Sequence, residues 1–226
     1  MENTIYSKCW YKDVCTADCN SSCLRYLEMK YLMDNSGIPE NKQTPIQLYV
    51  SDIDRDAYLR LNDIKLDISN FVESGKNLYV ASNKTGNGKT SWALKLLLKY
   101  FDEVWAGNGF RVRGLFVHVP TLLLQLKNFQ EPLSQEYRNN LYNADLVVFD
   151  DLGGIKLSAY DYANLLAIID NRLLNQKSCI FTANHATAQE LDDAVGVKIG
   201  SRIYHLSEVI ILRGEGMRHG SASDIE

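Results

Sequence analysis

The chain has 226 residues, of which 46% are hydrophobic and 23% are charged. This fits one globular domain with a small appendage and excludes a disordered chain or a coiled coil. The net charge of −4 excludes coating of duplex DNA by bulk charge, so a contact with nucleic acid needs a local patch. No apolar run reaches the ~18–20 residues of a membrane span. We therefore expect a cytosolic protein that makes no contact with membranes.

Four of the five cysteines lie close together near the start of the chain. They are Cys9, Cys15, Cys19 and Cys23, with the spacing C-x5-C-x3-C-x3-C. Four thiolates complete a tetrahedral zinc site or ligate an iron–sulfur cluster, and a helix would align the last three along one face. We predict a metal site, with zinc favoured over iron–sulfur and four reduced structural thiols as the alternative. Cys179, in an apolar strand-like run, is predicted to be a core residue.

The segments after the cysteines indicate a small arm and a larger domain. Residues 24–33 are predicted to form a helix that small residues and a proline end. Residues from about 40 to 60 have the scattered charge of a linker. The sequence therefore predicts a cysteine-rich arm over 1–45, a linker over 46–60, the main domain over 61–218 and a tail over 219–226.

A strand, a glycine-rich loop and a helix follow one another from Leu78, and the loop reads NKTGNGKTS. Glycines let backbone N–H groups turn toward phosphate oxygens, while a lysine supplies charge and a hydroxyl reaches Mg²⁺. The predicted nucleotide-binding residues of this loop are Asn83, Gly86, Asn87, Gly88, Lys89, Thr90 and Ser91. Asn83 stands where such loops have their first glycine. Because asparagine tolerates left-handed backbone geometry, we expect the loop to close.

Two further strands are predicted to deliver polar side chains to the same place. The strand Leu146–Phe149 ends in Asp150 and Asp151, and a later strand ends in Thr182 and Asn184. Ligands collect at the carboxyl ends of strands in open parallel sheets. We expect the first aspartate to face Mg²⁺ and the second to polarise water. A polar side chain on the later strand is expected near the γ-phosphate, with a simple loop-start asparagine as the alternative.

The remaining segments continue the alternation of strands and helices. GLFVHVP is predicted as a strand, two helical pieces broken near Pro132 follow it, and Tyr160–Leu174 is predicted as an amphipathic helix. Thr187 and Glu190 have the spacing of a capping box that opens a short helix. This alternation predicts an α/β fold with a central parallel sheet flanked by helices.

Over about residues 60–218 the chain resembles AAA+ ATPases of the bacterial helicase-loader type, DnaC and DnaI, and their phage relatives. SNKTGNGKTS corresponds to their Walker A motif, VVFDDLG to Walker B and TAN to sensor 1. The resemblance implies an AAA+ P-loop core that uses ATP and Mg²⁺, with catalytic roles for Asp150, Asp151 and Asn184. It makes Arg202, in SRIYHL, the arginine finger that reaches a neighbour's nucleotide. Arg218, in GEGMR, becomes the sensor 2 residue on the phosphates of its own subunit.

The same resemblance implies partners. The protein is expected to form a homo-oligomer with nucleotide, to hold single-stranded DNA, and to dock a replicative DNA helicase through the cysteine-rich arm. We expect it to act in the cytosol of a bacterium and to be encoded by a phage or mobile element. Lys127, near Phe129, is the candidate for contact with the single strand, because a basic group tracks phosphate while a ring stacks on a base. An ordinary surface lysine is the alternative.

Three alternatives remain open at this point. IstB-like transposition ATPases share most of these motifs and assist a transposase on duplex DNA. A monomeric P-loop small-molecule kinase would use the phosphate loop without the paired arginines, Arg202 and Arg218. A scaffold that has lost nucleotide turnover would account for Asn83. Asp151 stands where many AAA+ proteins have glutamate, which is consistent with slow hydrolysis and a nucleotide switch.

Overall fold

The structure is a computed structural model and describes residues 9–16, 20, 22–43, 46, 48, 51–128 and 133–215. Within these ranges the chain forms five strands and nine α-helices. The strands are β1 (Leu78–Ala81), β2 (Gly114–His118), β3 (Leu146–Leu152), β4 (Ser178–Ala183) and β5 (Glu208–Ile211). The helices are α1 (Leu24–Asp34), α2 (Arg55–Leu66), α3 (Ile68–Glu73), α4 (Lys89–Val104), α5 (Val119–Lys127), α6 (Gln135–Asn143), α7 (Ala159–Leu174), α8 (Ala188–Val195) and α9 (Val197–His205).

The five strands form one parallel sheet in the order β2-β3-β4-β1-β5, so the predicted α/β fold with a parallel sheet is confirmed. Successive residues of each strand point to opposite faces. Leu78 and Val80 join the apolar core that contains α4, whereas Tyr79 and Ala81 join a second core on the other face. Both faces are buried, as parallel strands require, and all carboxyl ends meet at one edge.

The arm packs directly against the larger domain. Met29, Leu32 and Met33 of α1 share the apolar core of α4. Beyond α1, the Ser36 carbonyl accepts a hydrogen bond from the Phe116 N–H of the edge strand β2 at 2.6 Å. The described part of the arm therefore shares the hydrophobic core of the main domain.

Two local predictions for the N-terminal region differ from the structure. The predicted linker over 46–60 contains the start of α2, because Tyr58, Leu61 and Ile64 place an apolar face against the core at helical spacing. The described cysteines also do not lie within a helix: Cys15 is outside any helix and Cys23 is the extended N-cap of α1. Just before α1, the Asn20 side chain accepts the Ser22 N–H at 2.9 Å and forms a turn.

None of the described helices is long and apolar enough to span a membrane. The predictions that concern Cys19, Arg218, Phe129 and Pro132, and the predicted tail over 219–226, lie outside the described residues.

Candidate functional site

The phosphate loop connects β1 to α4. Gly86 and Gly88 have φ of 77° and 97°, a left-handed conformation that glycine adopts without strain. The first backbone N–H groups of α4 have no partner within the helix, and together with the helix dipole they favour an anion. The Lys89 side chain folds over the loop and donates from Nζ to the Lys84 carbonyl at 2.7 Å and to Asn87 Oδ1 at 3.3 Å. The loop has the backbone shape and the charge that a phosphate group requires.

Asn83 differs from the expectation for this loop. Its φ is not positive, so the loop does not use the left-handed geometry that asparagine tolerates. Its side chain instead bonds to the segment after β4. Nδ2 donates to Glu190 Oε1 at 3.1 Å, and Oδ1 accepts the Ala186 N–H at 2.9 Å. These bonds occupy the amide group and hold the residue in place without a left-handed backbone.

Asp150 lies beneath the loop at the end of β3. Its Oδ1 accepts hydrogen bonds from Thr90 Oγ1 at 2.8 Å and from Thr182 Oγ1 at 2.6 Å, and the residue is buried. The hydroxyl and the carboxylate come from positions 60 residues apart. Hydroxyl and carboxylate oxygens are hard donors of the kind that Mg²⁺ prefers, so this pair fits a magnesium ion at the phosphate loop.

Asp151 has an unusual backbone conformation. The pairing of β3 with β4 shifts register between Phe149 and Leu152, and Asp151 has a φ of 61°. Bulges of this kind re-aim side chains beside functional sites. The Asp151 N–H donates to Thr182 Oγ1 at 3.1 Å, and Asn184 Nδ2 donates to Asp151 Oδ1 at 3.4 Å. Thr182 thus holds both aspartates, a role that the sequence pattern alone does not distinguish from that of Asn184.

His118 is a site residue that the sequence analysis missed. It ends β2 in register with Asp150, and its Nε2 lies 3.9 Å from Asp151 Oδ2. Its Nδ1 lies 2.8 Å from Thr121 Oγ1, which orients the ring. The residue was recognisable only as a member of the predicted strand GLFVHVP, because its proximity to the aspartates depends on the pairing of β2 with β3.

These side chains surround a cavity of about 230 Å³ at the carboxyl edge of the sheet. Its lining consists of Thr85, Gly86, Lys89, Thr90, His118, Asp150, Asp151, Thr182, Ala183 and Asn184. A larger cavity of about 480 Å³ lies between the arm and α4, is lined mainly by apolar residues, and contains none of these side chains. The chemistry of the lining, rather than cavity size, identifies the smaller cavity as the candidate site.

Other predicted residues lie away from this cavity or have other partners. Ser91, in the first turn of α4, does not line it. Arg202 lies on α9, where its Nε forms an ion pair with Asp170 and its Nη1 donates to the Lys198 carbonyl at 2.9 Å. Lys127, the candidate for DNA contact, instead pairs with the buried Asp161 carboxylate at 2.6 Å. This ion pair occupies the lysine ammonium group and connects α5 to α7.

The predicted metal site of the arm has no counterpart among the described residues. Cys9, Cys15 and Cys23 have free thiols, and in the described part of the chain no three His, Cys, Asp or Glu side chains are grouped to hold a metal ion. Cys179 is fully buried, as predicted, and burial raises the pKa of its thiol while the Arg172 guanidinium opposes that shift.

A parallel sheet with a phosphate loop after β1 and two aspartates near the carboxyl end of β3 defines a P-loop nucleotide-binding protein of the AAA+ type. The chain belongs to the IstB-like ATP binding protein family, whose profile matches residues 47–224. No curated protein sequence matches the chain significantly.

Several solved structures are similar to this chain. The DnaC helicase loader has a TM-score of 0.63 at 24% identity, over 77% of this chain and 99% of that chain. DnaI has a TM-score of 0.62 at 22% identity, over 80% and 94% of the two chains. The replication initiator DnaA bound to AMPPCP and single-stranded DNA has a TM-score of 0.57 at 17% identity, over 74% of this chain and 48% of that chain. At these identities the similarity shows a shared fold.

Proposed function

We propose that the protein is a Mg²⁺-dependent ATPase that loads a replicative DNA helicase onto single-stranded DNA as a nucleotide-switched oligomer. The hydrogen bond between Thr90 and Asp150 carries the ATPase proposal, because it joins the phosphate loop to the acidic strand at one cavity. Similarity to the DnaC helicase loader and to DnaI supports the loading role.

Binding follows from the loop. Backbone N–H groups between Gly86 and Thr90 would take the phosphate oxygens, and the Lys89 ammonium would exchange its bond to the Lys84 carbonyl for a charge-assisted bond to phosphate. Thr90 and Asp150 would hold Mg²⁺, which neutralises charge on the β- and γ-phosphates when it is bound. Thr182 keeps the Asp150 carboxylate oriented for that role.

Hydrolysis would use the residues on the other side of the cavity. The Asp151 carboxylate would accept a hydrogen bond from the attacking water and orient it. Asn184 and His118 contact or approach its two oxygens and would restrict its position. Arg202 does not line the cavity of its own chain. We propose that Arg202 of a neighbouring copy leaves its ion pair with Asp170 and enters this cavity beside the γ-phosphate. Assembly is then a condition for turnover.

The first experiment measures ATP turnover against protein concentration, with and without single-stranded DNA. We expect turnover per subunit to rise with protein concentration and with single-stranded DNA. Turnover should vanish in Lys89→Ala and fall by about a thousandfold in Arg202→Ala. A mixture of the two variants should regain activity, since each supplies the group that the other lacks. Lys76→Ala, an exposed lysine at the opposite end of β1, is the control. Equal turnover by an isolated monomer of Arg202→Ala would refute the shared site.

A second candidate is an ATPase that assists a transposase on duplex DNA. The family match favours it, because the family is described as IstB-like. Pull-down of a replicative helicase or of a transposase, each with ATP and with ADP, separates the two functions. The fold and the family leave the small-molecule kinase without support.

We further propose that residues 1–45 form the helicase-docking arm. A metal bound by Cys9, Cys15, Cys19 and Cys23 is part of this proposal and has a direct test. Metal analysis of anaerobically purified protein should find zinc, or iron with sulfide, near one site per chain, and the metal should be lost in Cys19→Ser. Absence of both metals from the unaltered protein would leave the arm as a structure of reduced thiols.

A further inference from the structure

We propose that Asn83 is a positioning residue that couples the phosphate loop to the segment carrying Asn184. The amide bridges two parts of the site: Oδ1 accepts the Ala186 N–H at 2.9 Å, and Nδ2 donates to Glu190 Oε1 at 3.1 Å. Asn83 belongs to the loop after β1, whereas the other three residues follow β4. A glycine at this position would have no side chain with which to make either bond.

The partners of Asn83 are themselves held in place. Glu190 uses its second oxygen, Oε2, to accept the Thr187 N–H at 3.0 Å, which closes the capping box of α8. Directly after Asn184, the His185 carbonyl accepts a hydrogen bond from the Tyr79 hydroxyl of β1 at 2.6 Å. The segment from β4 to α8 is therefore attached to β1 and its loop at two places that follow Asn184. A shift of the phosphate loop around a nucleotide would be transmitted through Asn83 to this segment.

This arrangement gives Asn83 a different role from the direct nucleotide contact predicted from the sequence. Asn83 does not line the cavity, while Asn184 does. Its effect would therefore act through Asn184, on the transition state more than on nucleotide affinity. The turnover part of this inference depends on the proposed ATPase activity, whereas the structural coupling does not.

Mutagenesis can exchange the donor and the acceptor of the hydrogen bond between Asn83 and Glu190. Asn83→Asp removes the donor and places a carboxylate against Glu190. Glu190→Gln leaves one oxygen for two donors, the Thr187 N–H and the Asn83 amide. In the double variant Asn83→Asp/Glu190→Gln, the glutamine amide donates to the new carboxylate and its oxygen still accepts the Thr187 N–H. Glutamine is also an acceptable residue at this position of a capping box.

The experiment compares both single variants, the double variant, Asn83→Gly, and the control Gln189→Ala, which removes an exposed side chain of α8 that bonds to Asp193. Nucleotide affinity, kcat and KM for ATP, and hydrogen exchange of the Ala186 amide are measured for each. We expect kcat to fall by about fivefold in the single variants and in Asn83→Gly, with nucleotide affinity changed by less than about twofold. The double variant should recover kcat, and Gln189→Ala should match the unaltered protein.

Hydrogen exchange keeps this inference separate from the proposed function. In the unaltered protein, a non-hydrolysable ATP analogue should slow exchange of the Ala186 amide, and Asn83→Gly should abolish that response while still binding the analogue. If the protein binds nucleotide without hydrolysing it, the ATPase proposal fails and the exchange data alone decide the coupling. An unchanged exchange response in Asn83→Gly, or a double variant no better than its single variants, would overturn the inference.

Discussion

The hydroxyl of Thr182 is the contact on which the geometry of both aspartates depends, and Thr182→Val tests it. Valine keeps the shape of threonine and removes the hydroxyl. That hydroxyl donates to Asp150 Oδ1 at 2.6 Å and accepts the Asp151 N–H at 3.1 Å, and Thr182 is only 2% exposed. The substitution therefore removes a hydrogen bond to a carboxylate, worth roughly 1.5–3 kcal/mol, and leaves a poorly hydrated N–H whose cost is roughly 1–3 kcal/mol.

The added methyl group offsets about 0.8 kcal/mol of this loss. We therefore expect the free energy of unfolding to fall by roughly 2–5 kcal/mol, measured by urea denaturation without nucleotide. Mg²⁺-dependent ATP binding should weaken as well, because Asp150 loses one of the two hydroxyls that orient it. Thr182→Ser is the matched control, since it retains the hydroxyl and should lose only about 1 kcal/mol. Equal stability of the valine variant and the unaltered protein would refute this account of the site.

Two further predictions concern groups outside the cavity. The Arg172 guanidinium is fully buried and donates to the carbonyls of Leu141, Ala144 and Ser178. Arg172→Met should lower the free energy of unfolding by roughly 2–5 kcal/mol, because these oxygens lose their donor. Thermal denaturation of this variant that matches the unaltered protein would contradict the prediction. Burial works to raise the pKa of Asp145, but Lys177 and Arg113 outweigh it and hold that pKa below its ordinary value. This stabilisation is complete above the ordinary pKa and is lost as the pH falls through the lower folded-state pKa. Asp145→Asn should therefore weaken the acid dependence of urea denaturation, and an unchanged pH profile would exclude the contribution.

The sequence by itself was sufficient for the elements around the phosphate loop and for their order along the chain. The strand before the phosphate loop, the helix after it and the strand before Asp150 and Asp151 are encoded by local hydrophobic periodicity and by glycine placement. Such signals need no knowledge of the rest of the chain, because side-chain direction repeats every two residues in a strand and every 3.6 in a helix. A parallel α/β sheet with a phosphate loop follows from their alternation.

Only the tertiary structure decided which distant residues meet. His118 comes beside Asp151 because β2 pairs with β3, and Lys127 is engaged by the buried Asp161 instead of facing solvent unpaired. Asn83 keeps an ordinary backbone because residues more than one hundred positions away bond to its side chain. Strand order and register depend on the packing of all elements at once, and a local pattern of residues contains no information about that sum.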